Sequence, residues 1–244
     1  MLWPVRVGTG APSCACPEQS RRVQAEQLDS CLRLHSSGFA FSYVPRRLGG
    51  YDFGMPNEIE IKFRIENLTA LTRALKQAGF KQLTRSTHEM NSLYDLPGQK
   101  LRKRGELLRL RKYGETWVLT HKAKGKAGRH KVRVELETRV ENGEQMDAIL
   151  RALGFAPTIR YEKYRAEWRD GTGHLVLDET PIGNFGEIEG PSRWIDRTAR
   201  ALGIAPAHYI TQTYAELFFA WKRATRSTAA EMTFRALHKK SKGL

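Results

Sequence analysis

Cysteine is nearly missing from this chain. Of 244 residues only Cys14, Cys16 and Cys31 carry a thiol, and all three precede residue 32. One C-x-C pair with a single distant partner lacks zinc-site spacing, and no disulfide framework is available, so a reducing cytoplasm suits the protein and is its expected location. No apolar run approaches the roughly 20 residues that span a bilayer, so a membrane partner is not expected. An early apolar core of the signal-peptide kind is absent, and Glu18, Glu26 and Asp29 spoil a transit peptide. P-loop, zinc and Ser-His-Asp patterns are missing too. Acid is in short supply: 26 Asp and Glu stand against 41 Lys and Arg, a formal charge of +15. Such a surplus points to an anionic partner, whether nucleotide, polyphosphate, nucleic acid or acidic lipid.

What the chain does have is strands of an unusual kind. Residues 57–65 read N-E-I-E-I-K-F-R-I, with Ile59, Ile61, Phe63 and Ile65 on one face and Glu58, Glu60, Lys62 and Arg64 on the other. Period-two alternation argues a strand. On an ordinary strand the second face meets water; here every position on it is charged. The habit recurs at 106–113 (Arg109, Arg111), 116–122 (ending in Lys122), 130–139 (Lys131, Arg133, Glu135, Glu137), 159–168 (Lys163, Arg165, Glu167), 174–179 (Asp178) and 186–190 (Glu187, Glu189). His121 alternates away from Lys122 and is taken as structural. Ser, Thr, Asn and Gln, which a solvated face would tolerate, are scarce at these positions. An E-x-E pair sets two carboxylates about 7 Å apart on one side of a strand, a hard-oxygen set for hydrated Mg²⁺ or Mn²⁺. An R-x-R pair presents two guanidinium forks to one anion.

Unpaired charges inside a protein are very costly. A wet tunnel that takes a polyanion and a metal resolves the difficulty, with bases on phosphate oxygens and acids on the cation. The number of groups suits a triphosphate better than a single phosphate. The expected fold is α+β, an eight-stranded antiparallel β-barrel forming a tunnel, with helices packed outside. Helical stripes end in Gly-Phe at both 67–80 and 142–155, which suggests two related halves. Further helices are expected over 191–204 and 209–222, the second carrying Tyr214, Leu217, Phe218 and Trp221 as core packing. Residues 1–54 read as a disordered or misassigned extension ahead of Met55. Residues 223–244 read as a basic, solvated and partly helical tail.

In order, E-I-E-I-K (58–62), L-R-L-R (108–111), L-T-H-K (119–122), K-V-R-V-E-L-E (131–137), E-K-Y-R (162–165), Asp178 and the final G-E-I-E-G resemble the CYTH family, the triphosphate tunnel metalloenzymes named for class IV adenylyl cyclase and thiamine triphosphatase. The resemblance covers about residues 57 to 220, so the domain is drawn over 55–222. It implies a triphosphate lying along the tunnel with one or two Mg²⁺ or Mn²⁺ ions. Glu58 and Glu60 would bind metal, with Glu187 and Glu189 from the far wall. Glu135, Glu137 and Asp178 would bind metal or place water. Lys62, Arg109, Arg111, Lys122, Arg133, Lys163 and Arg165 would hold substrate, with Lys62, Arg165 and Asp178 as the catalytic set. T-H-E-M-N-S-L-Y-D (87–95), Y-E-K-Y-R and T-Y-A-E-L-F look nearest the class IV cyclase branch, which turns ATP into cyclic AMP and pyrophosphate. The alternative is hydrolysis of tripolyphosphate, a nucleoside triphosphate or thiamine triphosphate; a non-catalytic polyphosphate or RNA binder stands behind both. A basic residue that some members carry in the last helix has no counterpart here, and Thr211 or Thr213 occupies that region. Nucleic acid is not the expected partner, and a homodimer is allowed for.

Overall fold

The computed structural model describes residues 57–126 and 128–238; the expectation for 1–54 lies outside them. Eight antiparallel strands close into a barrel in the spatial order β1-β5-β4-β3-β2-β6-β7-β8. In the sequence they are β1 (Asn57–Ile65), β2 (Lys81–Asp95), β3 (Leu107–Tyr113), β4 (Thr116–Lys122), β5 (Lys131–Val140), β6 (Ala156–Arg169), β7 (His174–Thr180) and β8 (Gly183–Glu189). The helices are α1 (Leu68–Gln77), α2 (Lys100–Arg104), α3 (Gly143–Ala152), α4 (Ser192–Ala201), α5 (Tyr214–Thr225) and α6 (Phe234–His238).

The two halves are built alike. Asn67 caps α1 by accepting from the Ala70 amide at 2.9 Å, and Asn142 caps α3 by accepting from the Gln145 amide at 2.9 Å. Both helices stop at a glycine in the left-handed region, Gly79 (φ 83°) and Gly154 (φ 86°), where a side chain would be strained. Each then feeds a long strand, β2 or β6, and these two pair with each other.

The apolar faces of the strands point outward, under the helices. Ile61, Phe63 and Ile65 pack with Leu75 of α1 and with Trp194, Ile195 and Ala199 of α4. Gly186 lets Phe63 lie against β8, since a Cβ there would come within 2.2 Å of the ring. α3 covers β3 and β4 through Leu150. A third cluster lies where β1 finishes and β8 begins. There Leu93, Ile159, Tyr161 and Phe185, all on the inward-facing register, meet Tyr214, Leu217 and Phe218 of α5. This apolar group plugs one end of the bore.

Two expectations are corrected. Four strands, not three, lie between α1 and α3, because 81–95 forms β2. The inward face of β2 carries Glu89 and Asn91 at the level of the bore and Leu93 at the plug, so it never reads as one clean charged face. The tail is also not solvated throughout. Met232 is completely buried, its carbonyl accepts from the Glu162 amide at 3.1 Å, and Ala229 and Leu237 pack on the same cluster. Apolar residues at 229, 232 and 237 return the chain to the barrel despite its basic composition.

Candidate active site

The charged faces line the interior. Lys62, Arg109, Arg111, Lys122, Lys163, Glu60, Glu89 and Asp178 are all buried. Strand register alone sets acid against base. Lys62 lies opposite Glu187, Glu58 opposite Arg133, Lys122 opposite Glu135, Glu89 opposite Lys163, and Arg165 opposite Asp178. Opposite charges at facing positions stabilise a sheet pair, and here they also offset the cost of burial.

Deep in the bore, Asp178 is the most heavily hydrogen-bonded group. Arg165 grips it with two nitrogens at 2.7 Å, Lys163 donates at 2.9 Å and the Tyr214 hydroxyl at 2.5 Å. Arg165 also reaches Glu187 at 2.6 Å, and Glu187 pairs with Lys62. Burial works against the Lys62 ammonium, but the charges of Glu187, Glu60 and Asp178 outweigh it and hold its pKa above the usual lysine value. Burial likewise opposes ionisation of Glu187, and Lys62, Arg165 and Lys163 overcome it, so the carboxyl stays well below its ordinary range. Burial, then the charges of Asp178 and Glu187, push the Tyr214 hydroxyl up; it is a donor, not a phenolate.

A second group spans β2 to β5. Arg111 contacts Glu137 at 3.1 Å and Glu89 at 3.7 Å, and Arg109 lies 3.7 Å from Glu137 and 3.9 Å from Glu135. Glu89 also faces Lys163 at 3.4 Å, and one of its oxygens has no hydrogen-bond partner. Burial opposes its charge, but Lys163, Arg165 and Arg111 hold its pKa far below the usual carboxylate value.

Towards the mouth, Lys122 bonds Glu58 at 2.8 Å and Glu135 at 2.8 Å, Arg133 bonds Glu58 at 3.1 Å, and Glu60 lies 3.4 Å from Lys131. Glu189, beside Glu60 on the neighbouring strand, is exposed at the rim. Crowding by the surrounding protein, then the charges of Glu58, Glu60 and Glu135, push its carboxyl up to about 8 against the pull of Lys122. Because the residue reaches solvent, repulsion from the neighbouring carboxylates is the main cause.

β8 is not the far wall from β1. The two strands are hydrogen-bonded neighbours, so Glu187 and Glu189 extend the acidic side of β1 rather than face it. Thr213 caps α5 through the Glu216 amide and does not stand in for a basic residue. The next residue, Tyr214, reaches the deep group, with Lys62 and Lys163 lying 4.4 and 4.7 Å from its ring centroid. His121 faces away from the bore, 3.6 Å from Glu106. Sequence reasoning missed Glu89, Asn91, Thr120 and Tyr214 as members of the cluster, and it placed Lys131 on a charged face without giving it a role. The alternation Glu89-x-Asn91 was the available signal for the first two; Tyr214 was hidden inside a stripe that reads as core.

A divalent cation fits the donor set. Glu58, Glu60 and Glu189 carry carboxylate oxygens of the hard kind that Mg²⁺ and Mn²⁺ prefer, and the raised Glu189 carboxyl marks a local excess of negative charge. Among the described residues no three acidic or imidazole side chains yet converge on one metal position, since Glu58 and Glu60 are turned to Lys122, Arg133 and Lys131.

The CYTH domain model matches residues 56–213, more than half of the chain. The chain belongs to the CYTH family. A protein of Methanocaldococcus jannaschii, provisionally named an adenylate cyclase, is 28% identical over 171 residues, covering 66% of this chain and 97% of its own. A Pyrococcus horikoshii structure superposes with a TM-score of 0.58 at 26% identity, over 66% of this chain and 98% of that one. A Vibrio parahaemolyticus structure, also provisionally named an adenylate cyclase, gives 0.60 at 21%, over 66% and 97%. A Hippeastrum structure, described as revealing a dominant triphosphatase activity, gives 0.51 at 20%, over 67% and 96%. These last two likenesses concern the CYTH barrel fold alone.

Proposed function

We propose that this CYTH domain is a metal-dependent enzyme that cleaves a phosphoanhydride bond in a triphosphate, with ATP cyclisation as the first reading. The observation that carries it is a closed barrel whose lining is ionic on every strand and which is plugged at one end by apolar side chains. Entry is then from the mouth, terminal phosphate first. Lys62, Lys163 and Arg165 lie deepest and would take the terminal phosphate. Arg109, Arg111, Lys122 and Arg133 would hold the rest of the chain, exchanging their carboxylate partners for phosphate oxygens. The α-phosphate and ribose would then lie towards the rim, beside Glu58, Glu60 and Glu189. A cation bound there supplies charge neutralisation at the attacking and leaving oxygens. Binding along the bore would hold the triphosphate extended, which would set the α-phosphorus for in-line attack by the ribose 3′-hydroxyl with pyrophosphate leaving. The relative provisionally named an adenylate cyclase supports the same reading. Hydrolysis of the terminal phosphate is the second reading, favoured by Asp178 and Glu187, two carboxylates in the deep group able to orient water.

Incubation with ATP or tripolyphosphate, each with Mg²⁺ or Mn²⁺, separates the readings. Cyclic AMP and pyrophosphate from ATP support the first, and orthophosphate from either substrate supports the second. Glu58→Gln is expected to abolish whichever activity appears, with a far-UV circular dichroism spectrum like that of wild type as the control for folding, since the change also removes the carboxylate paired with Lys122 and Arg133. Unchanged turnover in that variant would remove Glu58 from the metal set.

A further inference from the structure

On the far side of the plug lies a second cationic site. α2 and the end of α5 border an open surface cleft of about 530 Å³ lined by Arg102, Phe219, Lys222, Arg223, Arg226 and Ser227. No acid lines it, and among the described residues none of its four cations has a carboxylate within ion-pair distance. The last turn of a helix favours cations, which accounts for Lys222 and Arg223 on α5 alone. Arg102 stands likewise in the last turn of the short α2, and Arg226 is the C-cap residue of α5; what a helix-end preference does not account for is the meeting of the two basic helix ends at one cleft.

The turn that carries Arg102 is held in place, while the Arg102, Arg223 and Arg226 side chains are exposed. The Asp95 carboxylate accepts from the Leu101 and Arg102 amides at 2.8 and 3.0 Å and pins α2 to the end of β2. Leu101 anchors the same turn in the core. The Arg102 guanidinium then lies 5.0 Å from the Phe219 ring centroid, a cation–π arrangement, and donates one N–H to Gln99 Oε1 at 3.3 Å, with its remaining N–H groups turned to the cleft as donors for a ligand. Arg226 holds a left-handed backbone (φ 53°) where glycine is the usual residue. Like charges gathered this way repel, and an anion at their centre removes the repulsion.

We infer that this cleft is a second phosphate-binding site, separate from the tunnel, that takes the phosphate groups of a free nucleotide or short polyphosphate. Its volume falls in the range of small-molecule pockets, roughly 300–1,000 Å³. Its cations come from two short stretches of chain, which suits a compact anion rather than an extended strand. Tyr214, Leu217 and Phe218 of the same helix lie between it and the bore, so one ligand cannot occupy both.

Calorimetric titration of the full chain with ATP, and separately with tripolyphosphate, tests this. The double variant Arg102→Ala/Arg226→Ala is compared with wild type and with Arg73→Ala/Lys76→Ala, which removes two exposed cations from α1. The expected result is a salt-sensitive binding event weakened by at least about tenfold in the cleft variant, the loss that one charge-assisted contact produces. The same event is unchanged in the α1 variant, and turnover in the tunnel is unchanged in both. If the proposed tunnel activity is absent, the cleft event still appears as the single event and still depends on Arg102 and Arg226. Equal binding in all three proteins, or equal weakening in both variants, overturns the inference. So does a cleft-dependent affinity for a single-stranded oligonucleotide with none for ATP or tripolyphosphate.

Discussion

At the scale of the residue, Glu89 shows what the interior demands. Lys163, Arg165 and Arg111 surround it, and its side chain is completely buried. Removing one member of such a buried set leaves the others uncompensated and costs on the order of 3–5 kcal/mol, far more than a surface pair contributes. Glu89→Gln is therefore expected to lower stability by that order in urea titration at neutral pH. The sign of the pH effect follows from its depressed folded pKa. The stabilisation is present above the unfolded value of 4.5 and is lost as pH falls below it. Wild type is thus expected to lose stability more steeply than Glu89→Gln on acidification from pH 4.5, and parallel profiles would show that Glu89 is not ionised in the fold.

At the scale of the element, legibility depended on whether one strand served one environment. β1, β3 and β4 face the charged bore on one side and helices on the other, so alternation revealed them. β2 passes from the bore to the apolar plug along a single face, and its outward Met90 is exposed, so neither face is uniform. The segment after α5 was misread for a related reason: its basic residues dominate the composition while a few apolar ones decide its position. Met232→Ala is expected to cost about 2–5 kcal/mol, the usual range for truncating a buried methionine. Thermal or urea melts check this, and a cost near zero would return the segment to solvent.

At the scale of the whole molecule, the barrel and its inward charges were legible because repeated E-x-E and R-x-R faces have few inexpensive alternatives. Which walls adjoin was not legible. Closure brings β8 beside β1, a fact set by the long β2–β6 pairing and the strand order rather than by any local pattern. That closure gathers Glu58, Glu60 and Glu189 on one side of the mouth and leaves the deep bases towards the plug. The central claim is that this interior exchanges its own ion pairs for a triphosphate and a cation. The most direct measurement is a crystal structure with tripolyphosphate and Mn²⁺, using the anomalous signal of manganese. The expected result is a peak beside Glu58, Glu60 and Glu189 with phosphates on Lys62, Arg109, Arg111 and Arg165. Manganese and phosphate bound only outside the barrel, with the Lys122–Glu58 and Arg165–Asp178 pairs intact, would contradict it.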